Sequence, residues 1–110
     1  MEEFMKGDIV VVPFPFSDLK NSKKRPALVA ANLEGDDLIL CQITSESRND
    51  KYIINLEDTD FVKGKLHITS TIRPNKLFTA DKSIILYKIG FLKNSKIKEV
   101  EETLINIFRR

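Results

Sequence analysis

A few polar side chains stand where this sequence otherwise builds apolar strands. Arg25 precedes Pro26 at the mouth of "PALVAA", Thr44 and Ser45 close "LILCQI", and Arg73 and Asn75 flank Pro74 in "IRPNK". A cation and a hydroxyl at the ends of two core strands suit a phosphodiester. A guanidinium never loses its charge, and its donor fork matches phosphate oxygens, to which a hydroxyl can also donate. Pro26 biases Arg25 towards an extended backbone, and the strand behind it anchors the side chain. The plainer readings are a surface arginine paired with an acid, and a threonine satisfying strand-end backbone groups. Residue types alone leave both open. Ser45 replaces Thr44 if the strand register differs by one.

Other chemistries find little to work with. His67 is the only histidine and Cys41 the only cysteine, so neither a histidine pair nor a His/Cys metal cluster can form. Cys41 lies among apolar neighbours and reads as a buried thiol, and His67 reads as incidental. The carboxylates show no spacing of a metal or glycosidase pair, and four glycines make no phosphate-cradling loop. No cofactor is expected. The segment Phe14 to Lys24 would lie beside Arg25. Its Lys20, Lys23 and Lys24 can track nucleic-acid phosphates, and Phe14 or Phe16 can stack on a base. Both phenylalanines can equally cap an apolar interior.

The elements that must position these groups are short. At 110 residues, with 42% apolar content, the chain reads as one globular domain spanning residues 1–110. No apolar run approaches the roughly 18 residues of a membrane span. The start "MEEFMKGDIV" carries acids rather than a long apolar stretch, unlike a secretory leader, and the cytoplasm is the expected compartment. The net charge of +2 selects no partner by itself. Strands are expected at Asp8–Pro13, Pro26–Ala31, Leu38–Ile43 and Tyr52–Leu56, with "LEGDD" as the tight turn of a hairpin. "STIRPNKLFT" reads as two short extended segments around Pro74, and Ser83–Leu92 as a last strand bending near Gly90. Ile97, Val100, Leu104, Ile107 and Phe108 then follow a helical period, with Asn94 and Ser95 as capping candidates. Glu99, Glu101 and Glu102 near its start and Arg109 and Arg110 at its end would suit the helix dipole. Many strands and one terminal helix predict a small, strongly bent sheet or barrel.

In order along the chain, "KGDIVVVPFPFSD", "KKRPALVAAN", "CQITSE" and "IRPNKLFTADKSIILYKIGFL" resemble the MazF/PemK family, the toxin halves of type II toxin–antitoxin pairs. The resemblance runs from about Lys6 to Phe108. It implies a mainly β, SH3-like antiparallel barrel with a C-terminal helix, usually a homodimer. It also implies a metal-independent endoribonuclease of single-stranded RNA that leaves 2′,3′-cyclic phosphate and 5′-hydroxyl ends, blocked by a cognate antitoxin protein. Arg25 falls on the family's catalytic arginine, and Thr44 on its catalytic threonine or serine. Some members carry an arginine and an aspartate at the spacing of Arg73 and Asn75, with the acid as general base. Here the second residue is an amide, which cannot accept the 2′-OH proton at neutral pH. Arg73 can still hold phosphate and Asn75 read a base edge. That departure leaves two alternatives: a catalytically weak RNA-binding module, or a protein-binding toxin on the same fold resembling topoisomerase poisons.

Overall fold

Turn chemistry and strand period account for most of the element order. The computed structural model describes residues 3–14, 23–46 and 49–110. Its strands are β1 (Asp8–Phe14), β2 (Lys23–Asn32), β3 (Asp37–Thr44), β4 (Ile54–Leu56), β5 (Phe61–Gly64), β6 (Ser70–Asp81) and β7 (Tyr87–Leu92), followed by helix α1 (Asn94–Phe108). The expected β2–β3 hairpin is present and longer than its apolar core. Gly35, at φ +91°, supplies the left-handed residue that its turn needs.

The described strands make one sheet in the order β4-β6-β3-β2-β1-β7-β5, with antiparallel neighbours throughout. Its two edge strands are joined by Glu57 to Asp60 alone. Laid flat, seven strands would hold those edges roughly 29 Å apart. The five steps from Leu56 to Phe61 reach about 17 Å at most. The sheet therefore has to curl into the mainly antiparallel half-barrel that is observed. A single turn of 3-10 helix, Asp58–Asp60, makes the connection.

Curling gives the central strands two buried faces. Ile9, Leu28, Cys41, Ile43 and Ile72 face one cluster, which Leu92 and the helix residues Ile97 and Val100 complete. Val10, Val12, Ala27, Val29, Leu38 and Leu40 face a second cluster with Phe4 and Ala80. This explains why "DIVVVP" is apolar without interruption: alternate side chains serve different cores.

Three expectations change. "STIRPNKLFT" is one strand, but its pairing does fall into two parts. Cys41 faces Leu77 while the next residue, Gln42, faces Arg73, so Pro74, Asn75 and Lys76 are extra on β6. Pro74 has no N–H for the ladder, and the backbone bulges there. The last strand begins at Tyr87, because Lys82–Ile84 closes a 3-10 turn capped by the Asp81 carboxylate on the Ser83 N–H. That bond, backbone N–H first, holds the exposed Asp81 carboxyl below its ordinary range. The helix N-cap is Lys93 without a side-chain cap, and no acid lies in the first turn. Glu99 pairs instead with Lys96, and Glu101 with Lys6. Lys96 also donates to the Asn55 carbonyl at 3.0 Å, which ties the helix start to β4. Ile97 and Val100 anchor the apolar face, whereas Phe108 is largely exposed.

Burial pushes the Cys41 thiol up to about 12 from its ordinary 9.0. Cys41 is expected to resist iodoacetamide at pH 8 until the protein is unfolded in urea. The unfolded thiol ionises above pH 9 while the folded one keeps its proton to about 12. This contribution to stability is therefore present below pH 9 and lost as pH rises towards 12. Denaturation midpoints measured from pH 8 to 11 should fall more steeply for the parent than for Cys41→Ala.

Candidate active site

The expected strand-end groups converge through strand pairing. β2 and β3 pair from Asn32↔Leu38 down to Ala27↔Gln42. Continuing that register two residues along each strand sets Arg25 across from Thr44. β3 and β6 place Gln42 opposite Arg73 and Thr44 opposite Thr71. Arg25, Gln42, Thr44 and Arg73 thus belong to the same face as Val10, Ala27 and Leu40. Where the apolar row runs out, this polar row begins. The result is a cleft of about 160 Å³ lined by Arg25, Gln42, Thr44, Glu46 and Arg73, with Phe14 and Phe78 as its apolar wall. The two rings meet at 6.1 Å and 51°.

The two arginines differ in setting. Arg25 is exposed at the rim and faces Val12 across the β1–β2 pair. Arg73 is 8% exposed. Its Nη2 lies 3.4 Å from Asp50 Oδ2, and its buried Nε has no hydrogen-bond partner among the described residues. Thr44 Oγ1 accepts the Glu46 backbone N–H at 3.1 Å, which leaves the hydroxyl proton available for donation into the cleft. Asn75, exposed on the bulge, donates from Nδ2 to the same Asp50 oxygen at 3.1 Å.

The remaining expected residues are more scattered. Phe16 and Lys20 lie outside the described residues. Lys23 is exposed and shares Arg25's face of β2 by strand alternation. Lys24 takes the other face, with its ammonium 6.0 Å from the centre of the Tyr87 ring, and does not line the cleft. Ser45 is exposed just beyond β3, next to the cleft rather than in its lining. His67 lines a separate depression with Leu56, Glu57 and Phe61. Among the described residues no group of three His, Cys, Asp or Glu side chains converges as a metal site, and no helix is long and apolar enough to cross a membrane.

Sequence reasoning missed Glu46 and Asp50. "SESRND" between Thr44 and Lys51 carries no periodic signal, and its two acids look like ordinary loop polarity. Only the pairing of Asp50 across 23 positions to Arg73 gives it meaning.

Residues 5–108 match the family described as PemK-like, MazF-like toxin of type II toxin–antitoxin system. No curated protein sequence matches the chain. Solved structures are similar in fold at low identity. The Deinococcus radiodurans MazE–MazF structure is 18% identical with a TM-score of 0.77, over 98% of this chain and 97% of that one. The Mycobacterium tuberculosis toxin MazF-mt6 is 20% identical with a TM-score of 0.72, over 93% and 96%. An endoribonuclease in complex with its cognate antitoxin, from a mycobacterial species, is 12% identical with a TM-score of 0.74, over 94% and 93%.

Proposed function

Because the chain belongs to the PemK-like, MazF-like toxin family of type II toxin–antitoxin systems, we propose that it is an endoribonuclease that cuts single-stranded RNA without a metal. The observation that carries this reading is one cleft lined by Arg25, Thr44 and Arg73, residues from three strands. The 2′-oxygen attacks the adjacent phosphorus, its proton is released, and the 5′-oxygen leaves with a proton. The products are a 2′,3′-cyclic phosphate and a 5′-hydroxyl. Negative charge grows on the non-bridging oxygens, and Arg25 meets it at the open rim while the Thr44 hydroxyl donates from across the β2–β3 pair. Arg73 adds a second, buried positive charge at the cleft floor. Two guanidiniums and a hydroxyl outweigh the Glu46 carboxylate in this lining and form an anion site, the donor set a phosphodiester needs rather than one that attracts a divalent cation. Phe14 and Phe78 offer an apolar wall for a splayed base. Lys23 would follow the flanking phosphates.

The proposal extends to the partners. Two of the structures of similar fold are named as complexes with an antitoxin. A separately encoded antitoxin covering this cleft would silence a toxin acting as a homodimer in the cytoplasm.

Purified protein incubated with single-stranded RNA in chelator-containing buffer is expected to yield fragments with those two ends. Cleavage that appears only when magnesium is added would overturn the mechanism. Salt-dependent binding with intact RNA would select instead the weak-binding module that the Asn75 amide favours.

A further inference from the structure

We propose that Asp50 is a positioning residue for this cleft, a clamp that holds Arg73 and Asn75 from the loop between β3 and β4; the inference rests on the nuclease reading above. Its two oxygens take three donors, one from its own turn and two from β6. Oδ1 accepts the Tyr52 backbone N–H at 2.9 Å, while Oδ2 accepts Asn75 Nδ2 at 3.1 Å and Arg73 Nη2 at 3.4 Å. The Asp50 carbonyl accepts the Ile53 N–H at 3.3 Å, so the clamp is itself fixed by a turn. That turn leads directly into β4, whose Ile54 pairs with Ile72, the neighbour of Arg73. Asp50 is thereby tied to the strand it holds.

Charge makes this pairing consequential. Arg73 is buried, and its Nε already lacks a partner among the described residues. A buried guanidinium with no carboxylate beside it is strongly disfavoured. Among the described residues Asp50 is the carboxylate paired with Arg73, and it is not one of the residues that line the cleft. With its oxygens engaged, Asp50 orients Arg73 and does not itself meet RNA. It also gives the bulge a purpose. The extra residues Pro74 to Lys76 carry Asn75 out of the ladder and onto the clamp, so the β6 irregularity and the loop are joined at one oxygen.

The amide and carboxylate meet as donor and acceptor, so exchanging them tests the role. Asp50→Asn keeps an oxygen for the Tyr52 N–H but removes the charge beside Arg73. Under single-turnover conditions it is expected to cut about 100-fold more slowly, the loss typical of a misplaced catalytic contact, with half-saturating RNA concentration little changed. Asn75→Asp sets two carboxylates within hydrogen-bond range; they share a proton, so neither is a free base where the resemblance implies one, and this variant should also cut slowly. The double exchange, Asp50→Asn with Asn75→Asp, returns one carboxylate and one amide to the pair that holds Arg73 and should recover most of the lost rate, without exceeding the parent as a gained general base at position 75 would. A merely structural role would move stability without this rescue. The Arg73 side-chain NMR signal, protected from solvent exchange in the parent, should be lost in Asp50→Asn and return in the exchange variant. Parent-level cleavage by Asp50→Asn, or an unchanged Arg73 signal in it, overturns the clamp. Parent protein that leaves RNA intact overturns the nuclease reading instead, and the Arg73 signal then still decides the clamp. If Asp50→Asn does not fold, a folded exchange variant with parent rate supports the clamp, and one without activity refutes it.

Discussion

Replacing Arg25 by alanine is expected to lower the RNA cleavage rate by 100- to 1,000-fold, about 3 kcal/mol of transition-state stabilisation, while the protein stays folded. Both halves follow from where the side chain sits. Arg25 is exposed at the start of β2, and the strand behind it is held by Ala27, Leu28 and Val29, each almost fully buried. Truncating the guanidinium removes no core contact, and a surface change of this kind shifts stability by about 0.5 kcal/mol at most. The same position lines the cleft with Thr44, where the proposed reaction would develop charge on phosphate oxygens. Arg25→Lys keeps a cation but loses the planar fork, so it should recover only part of the rate. Rates under single turnover, with unfolding curves for each variant, separate the two effects. Full cleavage by a folded Arg25→Ala protein would show that another group carries the reaction.

The largest loss of stability is expected at Gly64, far from that cleft. Gly64 has φ +76°, and a Cβ there would lie 2.0 Å from the Ile89 carbonyl oxygen and 2.7 Å from the Gly90 Cα. These are backbone atoms of the paired strand β7, which a rotamer change cannot move. Alanine would have to push β5 off β7, its one neighbour in the sheet. Phe61 begins β5 and is buried with Leu92 in the core cluster under the helix, so the displacement would open that core. Strain and overpacking together predict a loss of about 3 kcal/mol or more. Gly35 is the comparison that isolates the cause. Its φ is +91°, yet a Cβ there would meet nothing within 4 Å. Gly35→Ala should cost only the left-handed conformation, about 1 to 2 kcal/mol. Urea titrations at 25 °C measure both. Equal losses at the two positions would mean that the close approach of β5 to β7 is not what Gly64 serves. RNA cleavage by the folded fraction of Gly64→Ala should be unaffected, because neither strand lines the cleft.

Much of this was open to reading from the chain alone, and the reason is locality. Alternating and continuous apolar runs marked β1, β2 and β3, "LEGDD" marked the hairpin, and a period of three and four marked α1. Each signal is carried within a dozen residues, where side-chain spacing meets backbone geometry directly. Arg25 and Thr44 stood out because each ends such a run. Where signals conflicted, the reading weakened. Pro74 argued for two segments, and β6 instead absorbs it as a three-residue bulge because β3 pairs with it both before and after that point. Asn94 and Ser95 are good capping types, yet the chain enters the helix at Lys93.

What the amino-acid order determined by itself was therefore a set of elements and the polar residues at their ends. The folded chain decided which of those ends meet. Arg25 and Arg73 are 48 positions apart in sequence, and they share a cleft because β3 pairs with β2 on one side and β6 on the other. Asp50 reads as a loop acid until β4 pairs with β6 and brings it against a buried guanidinium. Strand pairing and burial are long-range properties, so the charge that a residue must answer becomes visible only when the sheet has curled around it.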